Sequence, residues 1–195
     1  MKPTYQGFEA KKAGGFISLP PVGAYVAQIN GVVLKTPDGD KQKRTVIELY
    51  IDITEGEYAG RFMEVYEDQK ERFGDNVSYK GIFRLTPPVD GDEDWRKRAF
   101  EGAMWCIEQS NPNYAWDWDE KKLKIKKVGI SVRRRLYTSN GKDRETFEIG
   151  RLETIEDVRN GIVKPMNDRD QREQGNPVPE VGGYTAVDDP DVPWG

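Results

Sequence analysis

A chain of 195 residues with 36% hydrophobic content has room for one ordinary domain plus appendages, and its 33% of charged residues leaves part of it solvated rather than packed. It contains no histidine and one cysteine, Cys106, which excludes an intrachain disulfide, a Cys/His zinc site and imidazole-based nucleophilic catalysis. The net charge of −4 is unevenly spread: residues 173–195 hold five acidic residues and no basic ones, so the rest carries +1, while residues 121–151 hold eleven basic residues against three acidic.

Residues 1–22, with Gly7, Gly14, Gly15, Pro20 and Pro21, read as an irregular arm. Residues 24–34 are rich in β-formers and predict a first strand, followed by the turn-forming run Thr36-Pro37-Asp38-Gly39-Asp40. Residues 45–54 alternate, with Ile47, Leu49, Ile51 and Ile53 on one face and Val46, Glu48, Tyr50 and Asp52 on the other, which predicts a second strand packed on one side. After a turn at 55–60, residues 61–67 predict a third strand with Met63 and Val65 inward and Phe62, Glu64 and Tyr66 outward. Residues 68–93 are charged and broken by Gly and Pro, with a small extra strand suggested at Ile82-Phe83-Arg84-Leu85.

Residues 94–109 predict a helix capped by Asp94, with Trp95, Ala99, Ala103, Cys106 and Ile107 at helical spacing. Residues 123–137 and 144–152 predict the fourth and fifth strands, joined by Ser139-Asn140-Gly141, because Asn-Gly is a strong hairpin signal. A short helical turn is expected within 155–163. Beyond it Pro165, Gly175, Pro177, Pro179, Gly182, Gly183, Pro190 and Pro193 argue against any packed element. The organisation expected is an arm (1–22), a domain (23–155) and a flexible acidic Gly/Pro-rich tail (156–195).

Three antiparallel strands, a helix and two more strands is the element order of a five-stranded OB-fold-like barrel, so the fold class expected is mainly β, with one helix between strands three and four. Such barrels bind nucleic acid on the outer face of strands two and three, which here would present Tyr50, Phe62 and Tyr66 as stacking surfaces. The alternative is that the arm or a dimer partner covers them. The fourth strand places Lys127, Arg133, Arg135 and Tyr137 on one face, against Val128, Ile130, Val132 and Leu136 on the other, and Arg144 opens the fifth strand. This basic charge, interleaved with aromatics and without matching acids, points to phosphate contacts rather than a plain solvated face. Arg134 interrupts the inward pattern, which suggests a bulge or a strand that has left the barrel.

Three stretches resemble phage and prophage proteins regarded as single-stranded-DNA-binding proteins. They are Leu19-Pro20-Pro21-Val22-Gly23-Ala24-Tyr25, Ile53-Thr54-Glu55-Gly56-Glu57-Tyr58-Ala59-Gly60-Arg61, and Leu123-Lys124-Ile125-Lys126-Lys127-Val128-Gly129-Ile130. The pattern is a proline-glycine entry to strand one, an "EGxYxGR" turn and an "LxGKKVG" start to strand four, in which Ile125 stands at the glycine. The ending Asp188-Asp189-Pro190-Asp191-Val192-Pro193-Trp194 is similar to the acidic, aromatic-terminated tails of such proteins, although Gly195 follows the tryptophan. The resemblance implies non-enzymatic, sequence-independent binding of single-stranded DNA in phage replication or recombination, with Asp188, Asp189, Asp191, Val192, Pro193 and Trp194 recruiting replication or recombination proteins.

No cofactor or metal is needed for that role. The N-terminus lacks the apolar core of a signal peptide and no stretch approaches the ~20 apolar residues of a membrane span, so the expectation is a soluble cytoplasmic protein, in the host cell if phage-encoded, with no membrane partner. Oligomeric state is left open, a homo-oligomer included. Two rival readings are a Mg²⁺-dependent nuclease, with Asp52 and Asp68-Gln69-Lys70 supplying carboxylates and lysine, and a phage structural or adaptor protein that binds no nucleic acid.

Overall fold

The computed structural model describes residues 16–36 and 44–172. The element order is β1 (Gly23–Lys35), β2 (Val46–Ile53), α1 (Arg61–Phe73), β3 (Ile82–Leu85), α2 (Asp94–Ser110), β4 (Lys127–Ser139), β5 (Lys142–Glu153), α3 (Ile155–Arg159) and β6 (Arg169–Gln171), with a 3-10 turn at Glu120–Leu123. The protein is therefore mainly β, as expected. Six strands form one sheet along the path β3-β2-β1-β4-β5, with β6 added to β4. Only β6 pairs in parallel; every other ladder is antiparallel. The sheet stays open: among the described residues no ladder joins β3 to β5, though the two edges come into contact. No helix among the described residues is long and apolar enough to cross a membrane.

The alternation in β2 sets the core. Ile47, Leu49, Ile51 and Ile53 are buried, and they meet Ala27 and Ile29 of β1, Val128, Ile130 and Val132 of β4, and Phe100, Ala103, Met104 and Ile107 of α2. The opposite face of β2 is not simply solvated. Glu48 is 1% exposed, gripped by Arg84 at 2.7 Å and Lys35 at 3.0 Å, and Asp52 is 5% exposed beneath α1. A buried carboxylate persists only when it is paired or hydrogen-bonded, and both are.

The predicted third strand at 61–67 is instead the first half of α1. Gly60 enters the helix at φ 74, and the Asp52 carboxylate of β2 accepts the N–H groups of Phe62 (3.0 Å) and Met63 (3.1 Å), two of the orphan donors every helix start exposes. That N-cap is supplied from ten residues upstream, so nothing in the local sequence announces it. Within α1 the buried pair Phe62 and Val65 has helical spacing, and Asp68 and Arg72 pair four residues apart at 2.8 Å. Sheet strand three is the short β3, which the apolar run at 82–85 indicates.

Other boundaries also move. The N-cap of α2 is Glu93, which makes no side-chain cap bond, and Asp94 lies in the first turn; Phe100 and Met104 are buried where Ala99 was expected inward, and Trp95 lines a cavity of about 180 Å³ between β3 and α2. The start of β4 slips from Leu123 to Lys127, because Leu123 is a fully buried member of the 3-10 turn. The Asn140-Gly141 hairpin forms as predicted, with both residues at positive φ (53 and 68). The turn at Thr36–Asp40 falls largely outside the described residues.

Residues 156–172 were assigned to the tail, yet the chain binds the sheet as far as Gln171. β1 leaves the edge of β4 where Gly23 meets Val132, and β6 takes the vacated edge, with Arg135 opposite Arg169 and Tyr137 opposite Gln171. Gly129 in the "KKVG" run also gains a reason: a Cβ there would lie 2.7 Å from the Val158 side chain and 2.8 Å from the Thr154 carbonyl, so α3 can pack on β4 only over a glycine.

Ile125 sits at φ 66 with its side chain 70% exposed. A β-branched residue in the left-handed region is strained, with a cost of roughly 1–2 kcal/mol for L-residues, and here burial returns little. The prediction is that Ile125→Gly raises unfolding free energy by about 1 kcal/mol, after the extra unfolded-state freedom of glycine is allowed for. Urea unfolding of the pair checks it; a less stable glycine variant would show that Ile125 makes contacts that outweigh the backbone strain.

Candidate nucleic-acid interface

Tyr50 projects from the outer side of β2 and is joined by an aromatic that sequence reading passed over. Tyr79, in the segment between α1 and β3, lies offset-stacked on Tyr50 with ring centroids 5.9 Å apart and planes at 21°. Tyr66 of α1 meets the same Tyr79 edge-on at 5.9 Å and 81°. Tyr50 and Tyr66 thus both meet Tyr79, rather than lying side by side on strands. Phe62 is not part of this surface; the helix turns it inward, fully buried, and Tyr79 packs on its edge at 6.5 Å.

Tyr79 is fixed rather than loose. Its hydroxyl donates to the Ile51 carbonyl at 2.8 Å, and burial, then the charge of Asp52, holds its phenol well above the usual range. The Tyr50 hydroxyl reaches Glu48 at 3.4 Å; burial followed by the Glu48 charge raises it as well. Both phenols therefore stay neutral and can donate. The sequence signal that could have flagged Tyr79 is its place in Tyr79-Lys80-Gly81, an aromatic and a cation set directly before the glycine that leads into a strand.

The basic strand is more heavily neutralised than its sequence suggests. Arg133 is bound to Glu148 of β5 at 2.7 Å, and Arg134 to Asp168 at 2.5 Å and Glu145 at 3.5 Å. The expectation of a basic cluster without matching acids is corrected here, since the acids come from the neighbouring strand and from the segment before β6. The irregularity read at Arg134 also resolves. The shift in the β4–β5 ladder lies earlier, between Ser131 and Val132, where Gly150 is the extra residue, and Arg134 lies on the part of β4 beyond β1.

Arg135, Tyr137 and Arg144 remain grouped on that projecting ribbon. The Arg135 guanidinium sits over the Tyr137 ring at 5.5 Å and donates to Gln171 at 2.5 Å, and Tyr137 pairs across the ladder with exposed Arg144. Lys127 stands apart at the far end of β4, exposed, its backbone locked to Asn111 by bonds of 3.0 Å and 2.7 Å. Burial, then the like charge of Arg135, lowers the Lys80 ammonium from the usual lysine range.

The two carboxylates of the nuclease reading have other occupations. Asp52 accepts three backbone N–H groups, from Ile53, Phe62 and Met63, and burial still leaves its carboxyl above the usual range, while Asp68 pairs with Arg72 on α1. The tail residues Asp188, Asp189, Asp191, Val192, Pro193 and Trp194 lie outside the described residues. No protein-family model matches the chain, and no curated protein matches it either.

Proposed function

We propose that the chain is a non-enzymatic, sequence-independent single-stranded-DNA-binding protein of the phage replication or recombination type, acting in the cytoplasm of the host. The observation that carries this reading is the Tyr50–Tyr79–Tyr66 cluster on a sheet whose β4–β5 ribbon carries Arg135, Tyr137 and Arg144: aromatic rings and cations on one sheet are what stacked bases and phosphates require. The strand path supports it too. With β3 and β5 in contact at the two edges, the order β3-β2-β1-β4-β5 is that of an OB barrel left unzipped at one seam, and the binding surface of that fold lies on strands two and three with the hairpin joining strands four and five. In this reading the acidic tail recruits replication or recombination proteins.

Tyr50→Ala is expected to weaken binding of labelled oligo(dT), followed by fluorescence anisotropy, by about 5- to 150-fold, since one base stacked on an aromatic contributes roughly 1–3 kcal/mol. Unchanged affinity would place the DNA on another face.

A further inference from the structure

We propose that Trp118 is a second stacking site for a base of single-stranded DNA, outside the Tyr50–Tyr79–Tyr66 cluster and served by the lysines of residues 121–127. This rests on the single-strand-binding reading and deepens it by carrying the bound strand onto the segment between α2 and β4.

Trp118 is 65% exposed and takes a backbone φ of 67. A bulky residue in the left-handed region is a backbone outlier where glycine would sit without strain, and an indole left in water recovers little through burial. Ile125 of the same segment repeats the combination, exposed and at φ 66. Strained, exposed apolar residues gathered in one connection point to a binding role rather than a packing one.

The Trp118 ring is nonetheless held. It stacks on Phe100 of α2 with centroids 5.8 Å apart and planes at 13°, and Trp116 closes on it at 5.9 Å and 56°. Phe100 is buried, so one face of the indole rests on the core while the exposed remainder meets solvent. The flanking backbone is pinned too. Lys122 binds Asp117 and approaches Asp119 at 3.9 Å, and the Asp119 carboxylate accepts the Lys121 N–H at 3.1 Å. A flat aromatic face presented in one orientation is what base stacking needs, and it serves any base because each has a π-face.

Charge selects the occupant. Residues 121–127 hold five lysines and no acid. Lys122 is engaged by Asp117 and Asp119, whereas Lys121, Lys124 and Lys127 are exposed and meet no carboxylate among the described residues. The run is also tied to the part of the sheet that carries Tyr50: the Ile125 N–H donates to the Ile29 carbonyl at 2.7 Å, the Ile29 N–H donates to the Lys126 carbonyl at 2.9 Å, and Ile29 faces Ile51 of β2 across the ladder. Two strand spacings, about 10 Å, therefore separate its backbone from β2, within the span of one bound strand. An anionic membrane would match the lysines as well, but it would press Asp117 and Asp119 against a plane of like charge; a single strand brings only a base to the indole between them.

The experiment uses the full chain with labelled oligo(dT) at low salt, following anisotropy and tryptophan emission in one titration. Trp118→Leu keeps an apolar cover on Phe100, and Trp118→Phe keeps a flat ring. Trp118→Leu is expected to bind about 5- to 150-fold more weakly than wild type, the range for one stacked base, while Trp118→Phe keeps most of the affinity and loses part of the quenching. Circular dichroism checks that both fold; if the leucine variant does not, the emission of Trp118→Phe decides alone. If wild type binds oligo(dT) and folded Trp118→Leu binds it as tightly, or Trp118→Phe is quenched as fully as wild type, the site is overturned while single-strand binding stands. If wild type does not bind oligo(dT), both fall together. Phosphatidylserine vesicles are tested in parallel: capture of wild type but not of Trp118→Leu, with equal oligo(dT) affinity in the two, would give the ring to a lipid surface and overturn the proposal.

Discussion

Gly81→Ala is expected to destabilise the protein by about 3 kcal/mol or more, at the upper end of what overpacking costs. An added Cβ would lie 2.2 Å from the Ile51 carbonyl oxygen, 2.8 Å from the Tyr79 ring and 3.0 Å from Phe62. The nearest of these is backbone and cannot swing aside. The same residue of β2 donates its N–H to the Gly81 carbonyl at 2.7 Å and accepts the Tyr79 hydroxyl on its own carbonyl at 2.8 Å, so relieving the clash pulls the entry to β3 away from β2 and carries Tyr79 off the Tyr50 ring. For a domain of this size the melting temperature should fall by roughly 6–12 °C, read by calorimetry or circular dichroism. Oligo(dT) affinity should drop with it at temperatures where the variant is still folded. A loss below about 1 kcal/mol would mean that the seam between β2 and β3 adjusts freely, and the rigid tyrosine platform would lose its basis.

The second large effect belongs to Asp52. Its carboxylate holds the N–H groups of Ile53 at 2.8 Å, Phe62 at 3.0 Å and Met63 at 3.1 Å, and it is the sole side-chain cap that α1 receives among the described residues. Asp52→Ala leaves buried donors unmet, at about 1–3 kcal/mol for such a group and about 1 kcal/mol for a lost cap, and is expected to cost about 2–4 kcal/mol in urea unfolding. Asp52→Asn should fall between, because it retains one acceptor oxygen but turns an NH₂ toward a helix N–H. An alanine variant as stable as wild type would mean that α1 holds its place through Phe62 and Val65 alone. The same pair of variants bears on the nuclease alternative: Mg²⁺-dependent cleavage of DNA that disappears in folded Asp52→Asn would give that carboxylate a chemical role beyond capping.

Much of the sheet was legible in the sequence because its signals are local. The period-two pattern from Ile47 to Ile53, the Asn140-Gly141 turn and the apolar spacing around Ala103, Cys106 and Ile107 each act within a few residues of themselves. What was not legible depends on partners distant in sequence. Residues 61–67 alternate well enough to pass for a strand, and become a helix because Asp52 caps them from another element. Arg133 and Arg134 read as an open basic face because the acids that meet them lie 15 and 34 residues further on. The three residues of β6 carry no strand pattern and pair only because β1 departs from the edge of β4.

The candidate site divides in the same way. Tyr50, Tyr66, Arg135 and Tyr137 are candidates that residue type and position suggest, whereas Phe62 is carried into the core by the helix. The centre of the surface, Tyr79 with Lys80, fell in a stretch that the sequence presents as irregular. Glycine positions fared better once packing was visible, since Gly129 is where α3 approaches β4, and Ile125 occupies a backbone conformation that would suit glycine.

Titration of the full chain with oligo(dT) at several salt concentrations, following intrinsic tyrosine and tryptophan emission, addresses the binding proposal most directly. Stacked bases should quench the emission, and log affinity should fall linearly with log salt with a slope that counts the phosphates contacted, about 0.7 for each. Emission that does not change, together with no salt-dependent binding even at low ionic strength, would contradict single-stranded-DNA binding.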